Sequence, residues 1–187
     1  MDMYKVGDKM IRLITGGARS GKSAFAESLY KDKKDVVYIA TSIITDKEME
    51  ERIELHRKSR PTYWRTYEGY SSLNKAIGKE ENYLLDCITT LTSNIMFEMT
   101  KDVEHIDYEL QKQVEDKIYE ELSLLIDGIK EKEYNLTMVT NELGDSIVPS
   151  HHISRVFRDI QGRINQRIAV LSDEVYLVCC GIPVKIK

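Results

Sequence analysis

Apolar and polar residues along the chain follow two alternating patterns, one typical of buried strands and one typical of helices. Short, mostly apolar runs predict strands at residues 11–15, 35–40, 63–67, 83–86 and 136–140. Longer stretches predict helices at about 22–30, 47–60, 107–130 and 154–171, with a further helix starting near 89. Residues 174–179 and 182–186 predict a closing hairpin around Gly181. Strands that alternate with helices indicate an α/β fold with a mainly parallel sheet and an antiparallel C-terminal edge.

Glycine and proline are scarce, with ten and three residues, and no low-complexity linker or internal repeat divides the chain. We therefore expect residues 11–187 to form a single domain of ordinary size. The polar residues 1–10 precede the first strand, and we expect them to be a disordered N-terminal extension.

Charge and cysteine content exclude several classes of protein. The 27 basic and 31 acidic residues nearly balance, with a net charge of -4, which disfavours nucleic acid or an anionic membrane as a partner. No apolar run approaches the ~18 residues of a membrane span, and the N-terminus is too polar for a signal peptide. The three cysteines lack the spacing of a zinc site or of a secreted disulfide framework. These features together predict a cytoplasmic protein.

A glycine-rich loop between the first strand and the first helix carries the strongest chemical signal. It matches G-x-x-x-x-G-K-[ST] completely, in the strand-to-helix context that supports this motif. Its residues are Gly16, Gly17, Ala18, Arg19, Ser20, Gly21, Lys22 and Ser23. Backbone N–H groups of such a loop cradle phosphates, the lysine reaches the β- and γ-phosphates, and the serine hydroxyl ligates Mg²⁺. The loop predicts a nucleoside triphosphate site.

A second carboxylate for the metal is expected elsewhere in the chain. Asp86 ends the apolar run that begins at Tyr83 and is the best candidate. A strand ending in Asp is a weak signal alone, and the alternative is an N-cap for the helix near Thr89.

Residues 51–68 contain five basic residues, the single Trp and one His. On a helix, His56 would share a face with Arg52 and Arg60. A neutral imidazole among arginines is well placed to meet a phosphate, because the arginines bind the anion and disfavour protonation of the ring. The alternative is a solvated charged helix with an incidental His, which composition alone favours slightly.

The helix predicted at 154–171 carries a polar face opposite its apolar stripe. Arg155, Arg158, Asp159, Gly162 and Gln166 lie on this face. Two arginines, an acid and a glycine on one stripe indicate contact with a ligand or another subunit, and a plain solvated surface is an equally good interpretation.

Six motifs carry a family resemblance that covers residues 11–187 in order. They read GGARSGKS at 16–23, YIATS at 38–42, RIxxHRxxRPxxWRT at 52–66, DCITT at 86–90, VTNExG at 139–144 and FRDxxGRxNQ at 157–166. The series resembles the bifunctional adenosylcobinamide kinase / adenosylcobinamide-phosphate guanylyltransferase family of cobalamin biosynthesis. Departures are the polar Asp145 and Ser146, where relatives often have small residues, and Asp86, where some relatives carry Glu.

The resemblance implies a RecA-like P-loop fold and two reactions that use Mg²⁺ or a similar divalent cation. ATP or GTP would phosphorylate the aminopropanol hydroxyl of adenosylcobinamide. GMP would then pass from GTP to that phosphate, through a covalent histidine intermediate whose position matches His56. This reverses the interpretation of His56 from composition alone.

The resemblance also implies nucleotide contacts and an assembly. Besides the glycine-rich loop, the implied contacts are Ala40, Thr41, Ser42, Arg57, Lys58, Ser59, Arg60, Glu68 and Thr90. Similar enzymes are homo-oligomers, commonly trimers.

Two other functions fit a phosphate loop without the resemblance. One is a kinase of another small alcohol, and the other is a GTP-binding regulatory protein. The second is disfavoured because the base-reading motif Asn-Lys-x-Asp is missing.

Overall fold

The computed structural model describes residues 9–43 and 61–187. Within these ranges the elements in chain order are β1 Ile11–Thr15, α1 Lys22–Ser28, β2 Val36–Ala40, β3 Arg65–Glu68, a 3₁₀ turn Leu73–Ala76, β4 Asn82–Asp86, α2 Ile88–Thr100, α3 Tyr108–Glu131, β5 Asn135–Val139, α4 His152–Leu171, β6 Glu174–Cys179 and β7 Ile182–Lys185. The predicted extension 1–10 falls almost entirely outside the described residues, and the predicted helix 47–60 lies entirely outside them. The single-domain assignment of 11–187 stays a prediction.

The described strands form one seven-stranded sheet in the order β3-β2-β4-β5-β1-β6-β7. Every neighbouring pair is parallel except β6 and β7. The predicted α/β architecture, with its antiparallel C-terminal edge, is confirmed. Because β1 to β6 run in one direction, their carboxyl ends meet at the same edge of the sheet.

Helices cover both faces of the sheet, which explains why the central strands read as continuous apolar runs. Helices α2, α3 and α4 pack on one face through a large core that includes Leu13, Leu85 and Met138. Helix α1 packs on the other face, where Ile14, Leu84 and neighbouring side chains form a second cluster.

The start of β3 differs from the sequence prediction and the start of α3 agrees with it, each for a local reason. Strand β3 starts at Arg65 rather than 63, because Trp64 closes a turn by donating its N–H to Pro61 O at 3.1 Å. The Trp64 indole donates to Lys33 O at 3.0 Å and fixes that turn to the chain before β2. Helix α3 begins as predicted, since Asp107 caps it by accepting the Leu110 N–H at 2.9 Å.

Candidate functional site

The carboxyl edge of the sheet gathers the described part of the predicted site. The glycine-rich loop follows β1, and Ala40 and Asp86 lie opposite each other at the ends of β2 and β4. Glu68 ends β3 and pairs with Ala40. Residues distant in sequence thus meet because parallel strands end together.

Tight backbone packing holds the glycine-rich loop in place. Gly16 has φ +151°, and a Cβ there would lie 2.4 Å from Val178 O. Gly21 has φ +97°, and a Cβ there would lie 3.1 Å from the Gly181 Cα. Gly181 also donates its N–H to Ser20 O at 2.8 Å. The β6–β7 hairpin therefore packs against the loop. The backbone conformation and this packing both require glycine at positions 16 and 21.

Lys22 lies inside the loop at the start of α1. Its side chain is 7% exposed, and Nζ donates to Gly17 O at 2.6 Å. Burial lowers the pKa of Lys22 from its ordinary value, while Cys87 and Asp86 act in the opposite direction. The N–H groups of Lys22 and Ser23 belong to the first turn of α1, where a helix leaves its donors without internal partners. The loop thus presents an ammonium group and backbone donors to a phosphate.

Asp86 is the carboxylate at the end of β4, and its surroundings bear on one of the two sequence interpretations, the N-cap. Tyr38, 1% exposed on the neighbouring strand, donates its hydroxyl to Asp86 Oδ2 at 2.8 Å. The N-cap of α2 is Cys87, and no side chain of the described residues caps this helix, so the N-cap interpretation of Asp86 is wrong. With one oxygen held by Tyr38, the carboxylate keeps acceptor capacity for a cation.

Thr41 joins the loops that follow β2 and β4. Its hydroxyl donates to Cys87 O at 2.7 Å and accepts the Cys87 N–H at 3.0 Å. Asn94 donates to Thr41 O at 2.7 Å. Thr90, in the first turn of α2, lies 3.1 Å from the Cys87 thiol. The Thr41 side chain is therefore buried and used by the protein, and it fixes the position of Asp86.

The basic segment is only partly described. His56, Arg57, Lys58, Ser59 and Arg60 lie outside the described residues. Arg65, at the end of that segment, pairs with Val37 near the amino end of β2, away from the phosphate loop. Its guanidinium donates to Glu80 at 2.7 and 3.0 Å and to Ala76 O at 2.6 Å. Arg65 is therefore bound by the protein itself, away from the phosphate loop.

A polar network after β5 was missed by the sequence analysis. Asn141 donates its N–H to Thr89 Oγ1 at 2.8 Å, and its carbonyl accepts from Asn165 Nδ2 at 3.0 Å. Thr140 Oγ1 donates to Asn165 Oδ1 at 2.7 Å. The network fixes α4 and α2 to the end of β5, beside the phosphate loop. The VTNExG and FRDxxGRxNQ motifs contain these residues, but their spacing does not predict which pairs meet.

A metal site made by the protein alone is not seen. Within residues 9–43 and 61–187, no group of three or more His, Cys, Asp or Glu side chains is placed to hold a metal ion. A metal bound with a nucleotide needs only one or two protein oxygens, since phosphates and waters complete its shell. The Ser23 hydroxyl and the Asp86 carboxylate fit that requirement.

Comparison with known proteins identifies the family of the chain. The model of the family described as cobinamide kinase / cobinamide phosphate guanyltransferase (CobU) matches residues 12–186. The chain belongs to this family.

Two relatives of this CobU family cover nearly the whole chain. The bifunctional adenosylcobalamin biosynthesis protein CobU of Escherichia coli (strain K12) is 45% identical over 184 residues, which cover 95% of this chain and 100% of that protein. The bifunctional adenosylcobalamin biosynthesis protein CobP of Pseudomonas aeruginosa is 33% identical over 180 residues, 94% of this chain and 96% of that protein.

Solved structures bear on the fold. A prototypical ATPase from the type III secretion system of pathogenic bacteria superposes with a TM-score of 0.53 at 13% identity, covering 91% of this chain and 51% of that one. At that identity the likeness shows the fold alone. This member of the CobU family therefore has a RecA-like P-loop fold, as the resemblance implied. No helix in the described part of the chain is long and apolar enough to cross a membrane.

Proposed function

We propose that this protein is a bifunctional adenosylcobinamide kinase and adenosylcobinamide-phosphate guanylyltransferase. The observation that carries the proposal is the complete phosphate loop facing Asp86, in a chain that matches the family over residues 12–186. The substrates are adenosylcobinamide, its phosphate, and ATP or GTP. The product of the second reaction is adenosylcobinamide-GDP.

The kinase step uses the phosphate loop. The aminopropanol hydroxyl oxygen forms a bond to the γ-phosphorus, the bond to the β–γ bridging oxygen breaks, and the nucleoside diphosphate leaves. The hydroxyl proton passes to water. Lys22 and the loop N–H groups stabilise the charge on the transferring group, because they are fixed in a partly buried site before the reaction begins.

Mg²⁺ is the cation that such a site takes. Ser23 and Asp86 are the residues that would hold it, with Tyr38 orienting the Asp86 carboxylate. When bound, the cation neutralises phosphate charge.

The guanylyl step uses the basic segment. The His56 imidazole attacks the α-phosphorus of GTP, pyrophosphate leaves, and a covalent GMP-histidine forms. A phosphate oxygen of adenosylcobinamide phosphate then attacks the same phosphorus and releases the imidazole. We propose nucleotide contacts from the run Arg57–Arg60, and from Ala40, Ser42, Glu68 and Thr90 at the sheet edge. Thr41 contributes by positioning these groups, since its hydroxyl is bonded to Cys87, its carbonyl accepts from Asn94 and its N–H donates to Asp86 O.

The covalent intermediate is tested by incubating the protein with Mg²⁺ and GTP labelled at the α-phosphate. We expect label to appear on the peptide that contains His56, identified by mass spectrometry. His56→Ala should take up no label and lose guanylyl transfer, while phosphorylation of adenosylcobinamide continues because the phosphate loop is intact. GTP labelled at the γ-phosphate serves as the control, since that label should leave with pyrophosphate. Wild-type protein that takes up no α-label would contradict the histidine intermediate.

Assembly and location remain predictions of the family resemblance. We propose a homo-oligomer, commonly a trimer in such enzymes, in the cytoplasm. Light scattering coupled to size-exclusion chromatography measures the mass in solution, and a monomer at micromolar concentration would contradict the assembly.

A further inference from the structure

A cavity of about 680 Å³ opens between α4 and the face of the sheet formed by β1, β6 and the C-terminal edge. It lies on the opposite face of the sheet from α1, because α4 and α1 cover opposite faces. The cavity nevertheless begins beside the phosphate loop. Thr15, which lines it, immediately precedes Gly16, and Glu142, which also lines it, donates its N–H to Gly16 O at 3.0 Å.

The cavity walls differ in polarity. The sheet contributes apolar side chains, including Leu13, Val175 and Ile186. Helix α4 contributes donors and acceptors, including Arg158 and Gln166. A site with one apolar wall and one mixed polar wall suits a large amphipathic molecule that bears amide groups, since an amide both donates and accepts.

Arg158 differs from the other arginines of α4. Arg155 donates to Pro149 O and Ser150 O at 2.9 and 2.6 Å. Arg163 donates to Glu115 at 2.6 Å, and Arg167 reaches Glu115 and Asp116 and stacks on the Tyr119 ring. Among residues 9–43 and 61–187, Arg158 makes only long contacts of 3.3 Å, to the adjacent Asp159. Its guanidinium is therefore the one on α4 held least firmly by the protein, and it lines the cavity.

The polar wall is held in place before any ligand arrives. Asn165 bonds to Thr140 Oγ1 and to Asn141 O, which fixes the middle of α4 to the end of β5. Gly162 lies one turn away, and a Cβ built on it meets no atom of the described residues within 4 Å. The glycine thus leaves open space on a rigid wall rather than serving the helix, where it costs stability.

We propose that this cavity is the acceptor subsite, where the amide-bearing corrinoid lies against α4 with its hydroxyl end directed past Thr15 and Glu142 to the phosphate loop. The inference rests on the proposed function. It assigns to Gly162 the role of making room for the acceptor, and to Arg158 and Gln166 the role of bonding its side-chain amides.

The inference is tested in the full-length protein by comparing variants with larger side chains inside the cavity and outside it. Gly162→Leu fills the space above the apolar wall, and Gln166→Trp narrows the cavity from an exposed position that carries little folding risk. Val170→Trp is the matched control, because Val170 lies one turn further along α4, is 77% exposed and does not line the cavity. Adenosylcobinamide is the probe, measured by equilibrium dialysis and by KM in the kinase assay.

Both cavity variants should raise the Kd and KM for adenosylcobinamide at least about tenfold, with GTP affinity and Tm near the wild-type values. Val170→Trp should stay within about twofold of the wild type in every measurement. Wild-type affinity for adenosylcobinamide in a folded Gln166→Trp protein would overturn the inference, even if Gly162→Leu failed to fold. A change in oligomeric mass with unchanged acceptor binding would overturn it too, since the cavity would then face a second copy of the chain.

The same experiment distinguishes failure of the proposed function from failure of the acceptor subsite. Wild-type protein that neither binds nor phosphorylates adenosylcobinamide would refute the function, and the acceptor subsite with it. Wild-type protein that does both, beside unaffected cavity variants, would refute only the subsite.

Discussion

Gly16 and Gly162 flank the same end of β1, yet the chain uses them for opposite reasons. Gly16 has a positive φ, and a Cβ there would collide with Val178 O at 2.4 Å. Gly162 sits in the regular helix α4, and a Cβ there would meet none of the described atoms within 4 Å. One glycine lets the backbone curl tightly, and the other leaves room beside a helix.

This difference distinguishes two sides of the site, the phosphate-loop side and the α4 side. On the phosphate-loop side, backbone geometry and Lys22 dominate, and packing leaves little freedom. On the α4 side, side chains line an open cavity, and we expect substitutions of exposed residues there to change its shape more than the fold. Nucleotide binding and acceptor binding should therefore respond to different substitutions.

Gly16→Ala should produce the largest effect. The new methyl group meets a strand carbonyl in a backbone conformation that favours glycine, so we expect a loss of at least about 2 kcal/mol in the free energy of unfolding. Chemical denaturation measures it. Gly17→Ala is the control for stability, because in the described part of the chain a Cβ there meets nothing within 4 Å, and it should change little. Equal losses in the two variants would contradict the packing explanation.

Lys22→Met should abolish most kinase activity while keeping the fold, since Met fills the buried position without the charge. Removing one fixed donor to a developing charge typically costs about 10²–10³ in rate. We expect kcat/KM of the kinase step to fall by that factor, measured with adenosylcobinamide and GTP, while the Kd for adenosylcobinamide remains unchanged. A raised Kd for adenosylcobinamide would contradict the expectation that nucleotide binding and acceptor binding respond to different substitutions.

Tyr38→Phe should selectively weaken the binding of Mg²⁺. It removes the hydroxyl that holds Asp86 Oδ2, and loss of such a supporting group typically costs about tenfold or more in metal affinity. The Mg²⁺ concentration for half-maximal activity should rise accordingly, and direct Mn²⁺ binding with GTP present should weaken in parallel. Tyr83→Phe is the matched control, because that buried tyrosine accepts the Gly78 N–H at 2.9 Å away from the carboxyl edge. A response of both variants to Mg²⁺ would indicate a general loss of packing.

Glu80→Gln tests the Arg65–Glu80 ion pair, which is remote from both the phosphate-loop side and the α4 side of the site. The two hydrogen bonds from Arg65 lower the pKa of Glu80 from 4.5 to about 2. A depressed pKa stabilises the fold above pH 4.5, and this contribution is lost as the pH falls toward 2. Because Arg65 is 40% exposed, we expect a wild-type advantage of about 1 kcal/mol at pH 7 rather than the full shift. Denaturation at several pH values measures it, and an advantage that persists at pH 2 would contradict this origin.

Gly162→Ala should have the smallest effect and the opposite sign to Gly16→Ala. Alanine in a helix interior is favoured over glycine by roughly 0.5–1 kcal/mol, and the added methyl group has space. Thermal unfolding should show a small rise in Tm. A fall in Tm would show that Gly162 serves the fold, and the contrast with Gly16 would disappear.

Local patterns predicted most of the fold. The buried strands read as apolar runs because helices cover both faces of the sheet, and α3 and α4 follow the helical spacing of their apolar residues. The start of β3 was misplaced, because Trp64 is held by a turn and by Lys33 rather than by the sheet. Sequence spacing carries no information about such a contact.

The candidate site was predictable to the extent that its chemistry lies in one continuous segment. The phosphate loop needs consecutive residues, since one backbone turn wraps the phosphate, and its motif placed Lys22 without any structure. Asp86 was ambiguous, because a strand ending in Asp serves either as a cap or as a ligand. The structure rules out the cap, since Cys87 holds the N-cap position of α2, and the ligand role stays a prediction, with Tyr38 holding the carboxylate from a neighbouring strand.

The sequence by itself determined the strand and helix pattern, the phosphate loop and the family, because each of these is encoded in local order and spacing. The tertiary structure alone decided that Tyr38 supports Asp86, that Arg65 pairs with Glu80 away from the loop, and that Gly162 borders a cavity. These features arise where strands and helices distant in sequence meet, and only the folded sheet brings them into contact.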